Sequence, residues 1–156
     1  MSVTLSDTSP AFEQLDGLVE LRSTRLVVVS LSSCDSAADV TEAATELVRR
    51  FRQDAAAGVL TRARSVVVLV PPSGSDPSFR AAVVQALRGI VQSVTREFSH
   101  RSQAINLLVV DSDRLDSAAP TLRYLDDPDG GYTAGFTFDI SSTEVSTDTA
   151  TTEALA

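Results

Sequence analysis

Three runs of branched apolar residues constrain this chain more than any other feature: LVVVS at residues 26–30, SVVVLV at 65–70 and INLLVV at 105–110. None of them alternates polar with apolar. A strand with one solvated face must alternate, because successive side chains point to opposite sides, whereas a strand covered on both faces reads as a continuous apolar run. Valine and isoleucine suit the extended conformation as well. Strands buried on both faces need a layer of helices on each side. A fourth, weaker strand is expected at residues 135–140 (GFTFDI).

The segments between the strands have the helical period. Over residues 39–53, Val40, Ala43, Ala44, Leu47, Val48 and Phe51 share one face, with Glu42, Glu46, Arg49 and Arg50 on the other. Over the next interval Phe79, Val83, Leu87, Ile90, Val94 and Phe98 recur at spacings of three and four, while Arg80, Arg88, Gln92 and Arg96 point elsewhere. Asp76 is placed to cap that helix, with Pro77 at its first position, where the missing N–H costs nothing. Residues 12–21 read as a short helix leading into the first strand. Strands alternating with helices of this length predict right-handed βαβ units stacked as a three-layer α/β sandwich with a mostly parallel sheet.

The 156 residues suit one domain with a loose end: an N-terminal segment over 1–25, the α/β domain over 26–141, and a Ser/Thr/Asp/Ala-rich tail over 142–156 that is expected to be disordered. All thirteen positive side chains are arginine against twenty-one acids, and a net charge of -8 repels phosphate backbones and anionic membranes. Nucleic acid and membrane partners are therefore not expected. One cysteine, Cys34, forms no internal disulfide, no export signal opens the chain, and no apolar run approaches the roughly 18 residues of a membrane span. A cytoplasmic location is expected.

Three passages in order carry a resemblance. Residues 86–98 (ALRGIVQSVTREF) have an Ala-Leu-x-Gly step and a late Glu97; Ala104-Ile105-Asn106-Leu107-Leu108-Val109 follows; Leu122-Arg123-Tyr124-Leu125 precedes Gly131-Tyr132-Thr133-Ala134-Gly135. In pattern and spacing these resemble the short-chain dehydrogenase/reductase family from its fourth strand onward, over about three quarters of the chain. The resemblance implies a Rossmann-like three-layer sandwich lacking the N-terminal glycine-rich βαβ unit that holds a dinucleotide pyrophosphate. No GxxxGxG occurs anywhere in the sequence.

In the register fixed by Gly89, Arg80 stands where the family has its catalytic tyrosine and Val84 where it has its lysine. The family's tyrosine exchanges a proton with substrate while its lysine lowers the tyrosine's pKa and holds the nicotinamide ribose; arginine and valine do neither. This chain contains no lysine at all. Ser73 falls near the family's serine, Ser30 to Ser33 near its asparagine-rich loop without an asparagine, and Val110-Asp111 on its Pro-Gly. Only Asn106 and Gly135 persist clearly, and both have structural explanations. Ser73, Arg80 and Val84 are thus degenerate catalytic positions, and no cofactor or metal is expected.

The remaining chemistry reads as structural. Ser73-Gly74-Ser75-Asp76 is taken as a turn and helix cap rather than a nucleophile or phosphate loop, since one glycine and no lysine do not make such a loop. His100 is the sole histidine, and about 14 helical residues at 1.5 Å each put it over roughly 20 Å from Ser73. Carboxylate near Cys34, from Asp35, predicts a raised thiol pKa and a structural role. Asp111, Asp113, Asp116, Asp126, Asp127 and Asp129 read as solvated loop acids more than as ligands for a hard cation.

In the related enzymes the two long helices pack against their equals in a second subunit, and the last strand joins another interface. The expected function is therefore a non-catalytic assembly or supporting subunit that pairs with a full-length reductase homologue or with itself, through Phe79, Val83, Leu87, Ile90 and Val94. The alternative is an oxidoreductase subunit whose NAD(P)-binding half comes from a partner chain, which requires Ser73, Arg80 and Asp111 to meet in a cleft at the strand C-termini. The strand at 26–30 should also have an open edge, to be covered by residues 2–5, residues 18–21 or another chain.

Overall fold

The computed structural model describes residues 9–74, 76–100, 102–129 and 133–140. Along them run α1 (Pro10–Leu18), β1 (Thr24–Ser30), α2 (Ala37–Ala56), the single turn α3 (Val59–Arg62), β2 (Arg64–Val70), α4 (Pro77–Phe98), β3 (Ile105–Val109), a 3-10 helix (Ser112–Ala118) continuing into α5 (Ala119–Asp126), and β4 (Thr137–Asp139). All four strands lie parallel in one sheet, in the order β1-β2-β3-β4. The protein is a Rossmann-like α/β fold. The tail over 142–156 lies outside the described residues, and no described helix is long and apolar enough to cross a membrane.

The apolar runs divide between two cores. Val27, Val29, Val67, Leu69, Leu107 and Val109 face α2 and α4, while Leu26, Val28, Val66, Val68 and Leu108 face α1, the 3-10 helix and α5. This is the double coverage that unalternating strands require. Fully burying one such side chain stabilises by roughly 1.5–3 kcal/mol, so these runs supply much of the favourable energy.

Element ends follow local chemistry that periodicity alone blurs. Helix α1 is shifted toward the N-terminus relative to the expected 12–21, because the Ser9 hydroxyl accepts from the Phe12 N–H at 3.1 Å and Pro10 opens the first turn. Helix α2 is longer at both ends; Ser36 caps it, and Gly58 in the left-handed region (φ 71°) stops it. Helix α4 begins as expected, with Asp76 accepting from the Ser78 N–H at 3.2 Å. Strand β4 is shorter than residues 135–140, because Gly135 enters it with φ 74°.

The connections differ in hand. From β1 to β2 and from β2 to β3 the chain steps the same way across the sheet through helices on one face. From β3 to β4 it steps that way again, but through the 3-10 helix and α5 on the opposite face. Two crossovers therefore share one hand and the third has the other. Parallel crossovers are right-handed in about 98% of cases, so the three connections do not all follow the expected right-handed pattern.

Main-chain pairing also fixes which groups β1 turns outward. Ser23 O accepts from the Arg64 N–H at 3.0 Å and the Leu31 N–H donates to Val70 O at 2.8 Å, so odd-numbered residues of β1 face β2. The N–H and C=O of Thr24, Leu26, Val28 and Ser30 point away from the sheet. Residues 18–21 do not cover this edge as a strand: Leu18 ends α1, and Leu18 and Leu21 pack into the core shared with α5. Residues 2–5 lie outside the described residues.

Candidate functional site

The C-terminal ends of β1, β2 and β3 meet where an α/β sheet ordinarily binds its ligand. Buried Pro71 and Pro72 carry the chain off β2 to Ser73, whose N–H donates to Ser32 O at 3.2 Å and whose hydroxyl lies 3.2 Å from that of Ser112. One turn into α4, Arg80 donates from Nη2 to Asp111 Oδ1 at 2.9 Å, with both side chains about three-quarters buried. Helix α4 and β3 thus bring Ser73, Arg80 and Asp111 together, with Ser112 as a fourth member that sequence reasoning missed. No motif marks Ser112; its position directly after Asp111 at a strand end was the available signal.

The chemistry of this cluster is restricted. The two hydroxyls face each other, and the cluster's one carboxylate, Asp111, accepts from the Arg80 guanidinium. His100 lies beyond the C-terminus of the 22-residue α4, away from the Ser73 end. Val84 is 8% exposed and packs in the core beneath α4. Strand order never reverses among the described strands, but the chain leaves β2 for α4 on one face and β3 for the 3-10 helix and α5 on the other, so the connections diverge to opposite sides between the ends of β2 and β3, where Ser73, Asp111 and Ser112 sit.

Other candidates fall into structural roles. Partial burial first, and then the charges of Asp39, Asp35 and Glu42, push the Cys34 thiol up, away from the reactive thiolate. Among the described residues no group of three or more His, Cys, Asp or Glu is placed to hold a metal ion. Asp126 accepts from the Arg22 and Ser23 N–H groups at 2.9 Å each, tying the end of α5 to the start of β1. Asp127 accepts from the Asp129 N–H at 2.8 Å. Tyr124 is half exposed and stands edge-on to Phe138 at 6.5 Å; Tyr132 lies outside the described residues. Asn106 bridges β3 to the approach of β4, donating to Thr133 O at 2.9 Å and accepting from the Phe136 N–H at 3.1 Å.

The five candidate interface residues separate. Val83, Leu87 and Val94 are 2%, 0% and 4% exposed within the single chain, packed on the sheet, so they belong to the core and not to a contact surface. Phe79 and Ile90 are only partly buried. Ile90 borders a mainly apolar groove of about 600 Å³ between α2 and α4, with Ala44, Thr45 and Val48 beside it and Arg49 and Arg52 at its rim.

A second polar cluster, at the opposite end of β1, also escaped the sequence pattern. Asp54 is 8% exposed; Arg25 Nη2 approaches its Oδ2 to 2.6 Å and Arg50 Nε to 3.2 Å, and the Arg25 guanidinium lies 5.8 Å from the centre of the Phe51 ring. Asp54 continues the buried stripe of Ala43, Leu47 and Phe51, and a carboxylate on such a stripe calls for a buried cation. Comparison with protein-family models and with curated protein sequences finds no match.

Proposed function

We propose that this protein is a non-catalytic, short-chain dehydrogenase/reductase-like subunit that supports assembly, pairing with a full-length reductase of that family or with its own copies. The observation that carries the reading is the Arg80–Asp111 ion pair. In the register implied by the resemblance, the tyrosine position and the second residue of the Pro-Gly position have become partners in a bridge that pins α4 to β3. A side chain that would have faced substrate is committed to a carboxylate instead. Val84, at the lysine position, is likewise part of the core. The parallel sheet and the apolar α2–α4 groove supply the scaffold and the contact face such a subunit needs.

The test is recovery of the endogenous complex from its source cell, quantification of every co-purifying chain, and a reductase assay before and after this subunit is removed. A stoichiometric full-length family member whose activity falls on removal supports the reading. A second reading, an oxidoreductase subunit completing an NAD(P) site carried by a partner chain, is favoured by the convergence of Ser73, Arg80 and Asp111 at the strand C-termini. Micromolar binding of NADPH by the isolated chain would select it over the first.

A further inference from the structure

The two edges of the sheet are built on opposite plans. Strand β4 is three residues long and ends on Asp139, the kind of short, charged edge that resists pairing. Strand β1 has seven residues in the composition of an interior strand, with Leu26, Val27, Val28 and Val29 between 0% and 7% exposed. It carries no proline or glycine, and its one charge, Arg25, is folded against Phe51 and Asp54. Among the described residues it pairs only with β2, leaving the N–H and C=O of Thr24, Leu26, Val28 and Ser30 directed outward. Main-chain groups enclosed by apolar neighbours cost free energy until they are hydrogen-bonded.

Charge selects what meets this edge. The flank of α2 beside β1 carries Asp39, Glu42 and Glu46, then Arg50, at helical spacing. Arg50 and Asp54 line a cleft of about 390 Å³ with Thr24, Arg25 and Leu26, which places that flank over the start of β1. Asp39 bonds to Ser36 at the opposite end of α2, near the level where β1 finishes. Glu46 is bound by Arg49 on its own helix. The flank is therefore acidic at one end and arginine-bearing at the other. A like flank running antiparallel sets Arg50 against Glu42 and Asp39, whereas a parallel one sets acid against acid.

We propose that β1 is a self-pairing edge: two copies of the chain join β1 to β1, antiparallel about a two-fold axis normal to the sheet, into one continuous eight-stranded sheet. In the register centred on Val27, Leu26 bonds to Val28 of the second copy and Thr24 to Ser30 of the second copy, so every outward group named above finds a partner. The contact is isologous and closes at two copies. It rests on sheet topology and helix charge, not on the family resemblance.

The experiment is the solution mass of the full chain at micromolar concentration, compared across three variants. The Val28 N–H faces away from β2, so Val28→Pro keeps every bond to β2 while blocking the edge. The wild type should have twice the chain mass and Val28→Pro the single mass, with the helical circular dichroism of both alike. Glu42→Arg, which sets like charges opposite Arg50, should raise the dissociation constant about tenfold. A monomeric wild type, as expected if other residues of the same chain cover β1, overturns the proposal. So does a Val28→Pro dimer as tight as the wild type. If instead Ile90→Glu separates the copies and Val28→Pro does not, they meet at the α2–α4 groove, and the assembly role stands without the edge pairing.

Discussion

Two arginine–carboxylate contacts hold opposite ends of the sheet, and burial sets their worth. Asp54 is almost enclosed between Arg25 and Arg50, so removing it strands a guanidinium against Phe51. Asp54→Ala should lower the unfolding free energy by about 3–5 kcal/mol, read from urea titration. The Arg80–Asp111 pair is more open, and Arg80→Ala should cost about 1 kcal/mol or less by the same measurement. Asp126 gives the pH dependence. Partial burial pushes its carboxyl up, but the Arg22 and Ser23 amides outweigh this and hold it below the ordinary aspartate value of about 3.9. Its contribution is thus present above about pH 4 and fades as pH falls through the lower folded-state value. The stability gap between wild type and Asp126→Asn should narrow on acidification, measured by thermal melts across that interval. The Asp76 cap was readable from its neighbours in sequence, while the Asp126 contact, spanning more than a hundred residues, leaves no local trace.

Helix α4 shows what periodicity conveys at the scale of an element. Its cap, its proline and its apolar stripe were all legible because they are local. Which part of the stripe meets the sheet and which stays open was not, since that depends on how α2 lies beside it. The distinction can be tested: Leu87→Asp should unfold the chain, whereas Ile90→Asp should leave circular dichroism and the mass of the chain's own assembly intact and weaken only capture of a different partner chain at the α2–α4 groove. Strand β4 was placed correctly but drawn too long, because its length is set by Gly135. Gly135→Ala should destabilise by about 1–2 kcal/mol, since alanine resists a φ of 74° and its Cβ would sit 3.6 Å from Thr95 Cγ2. The single turn α3 and the 3-10 helix were not foreseen, being too short to show a period.

For the whole molecule, the parallel α/β class followed from the valine runs, because strands of that composition need cover on both faces. The odd hand of the last crossover was invisible: the apolar stripe of α5 fits either face of the sheet, and only packing against α1 decides. That crossover has a further consequence. Only three residues of β4 shield the far side of β3, whose residues Ile105, Leu107 and Val109 are as apolar and enclosed as those of β1. Were β4 to detach, the described sheet would have an open apolar strand at each edge, and the proposed contact that closes at two copies would become one that repeats. Sheet growth would then continue from both sides, and the same loss of a short strand that barely changes the helical content would turn a finite assembly into a filament.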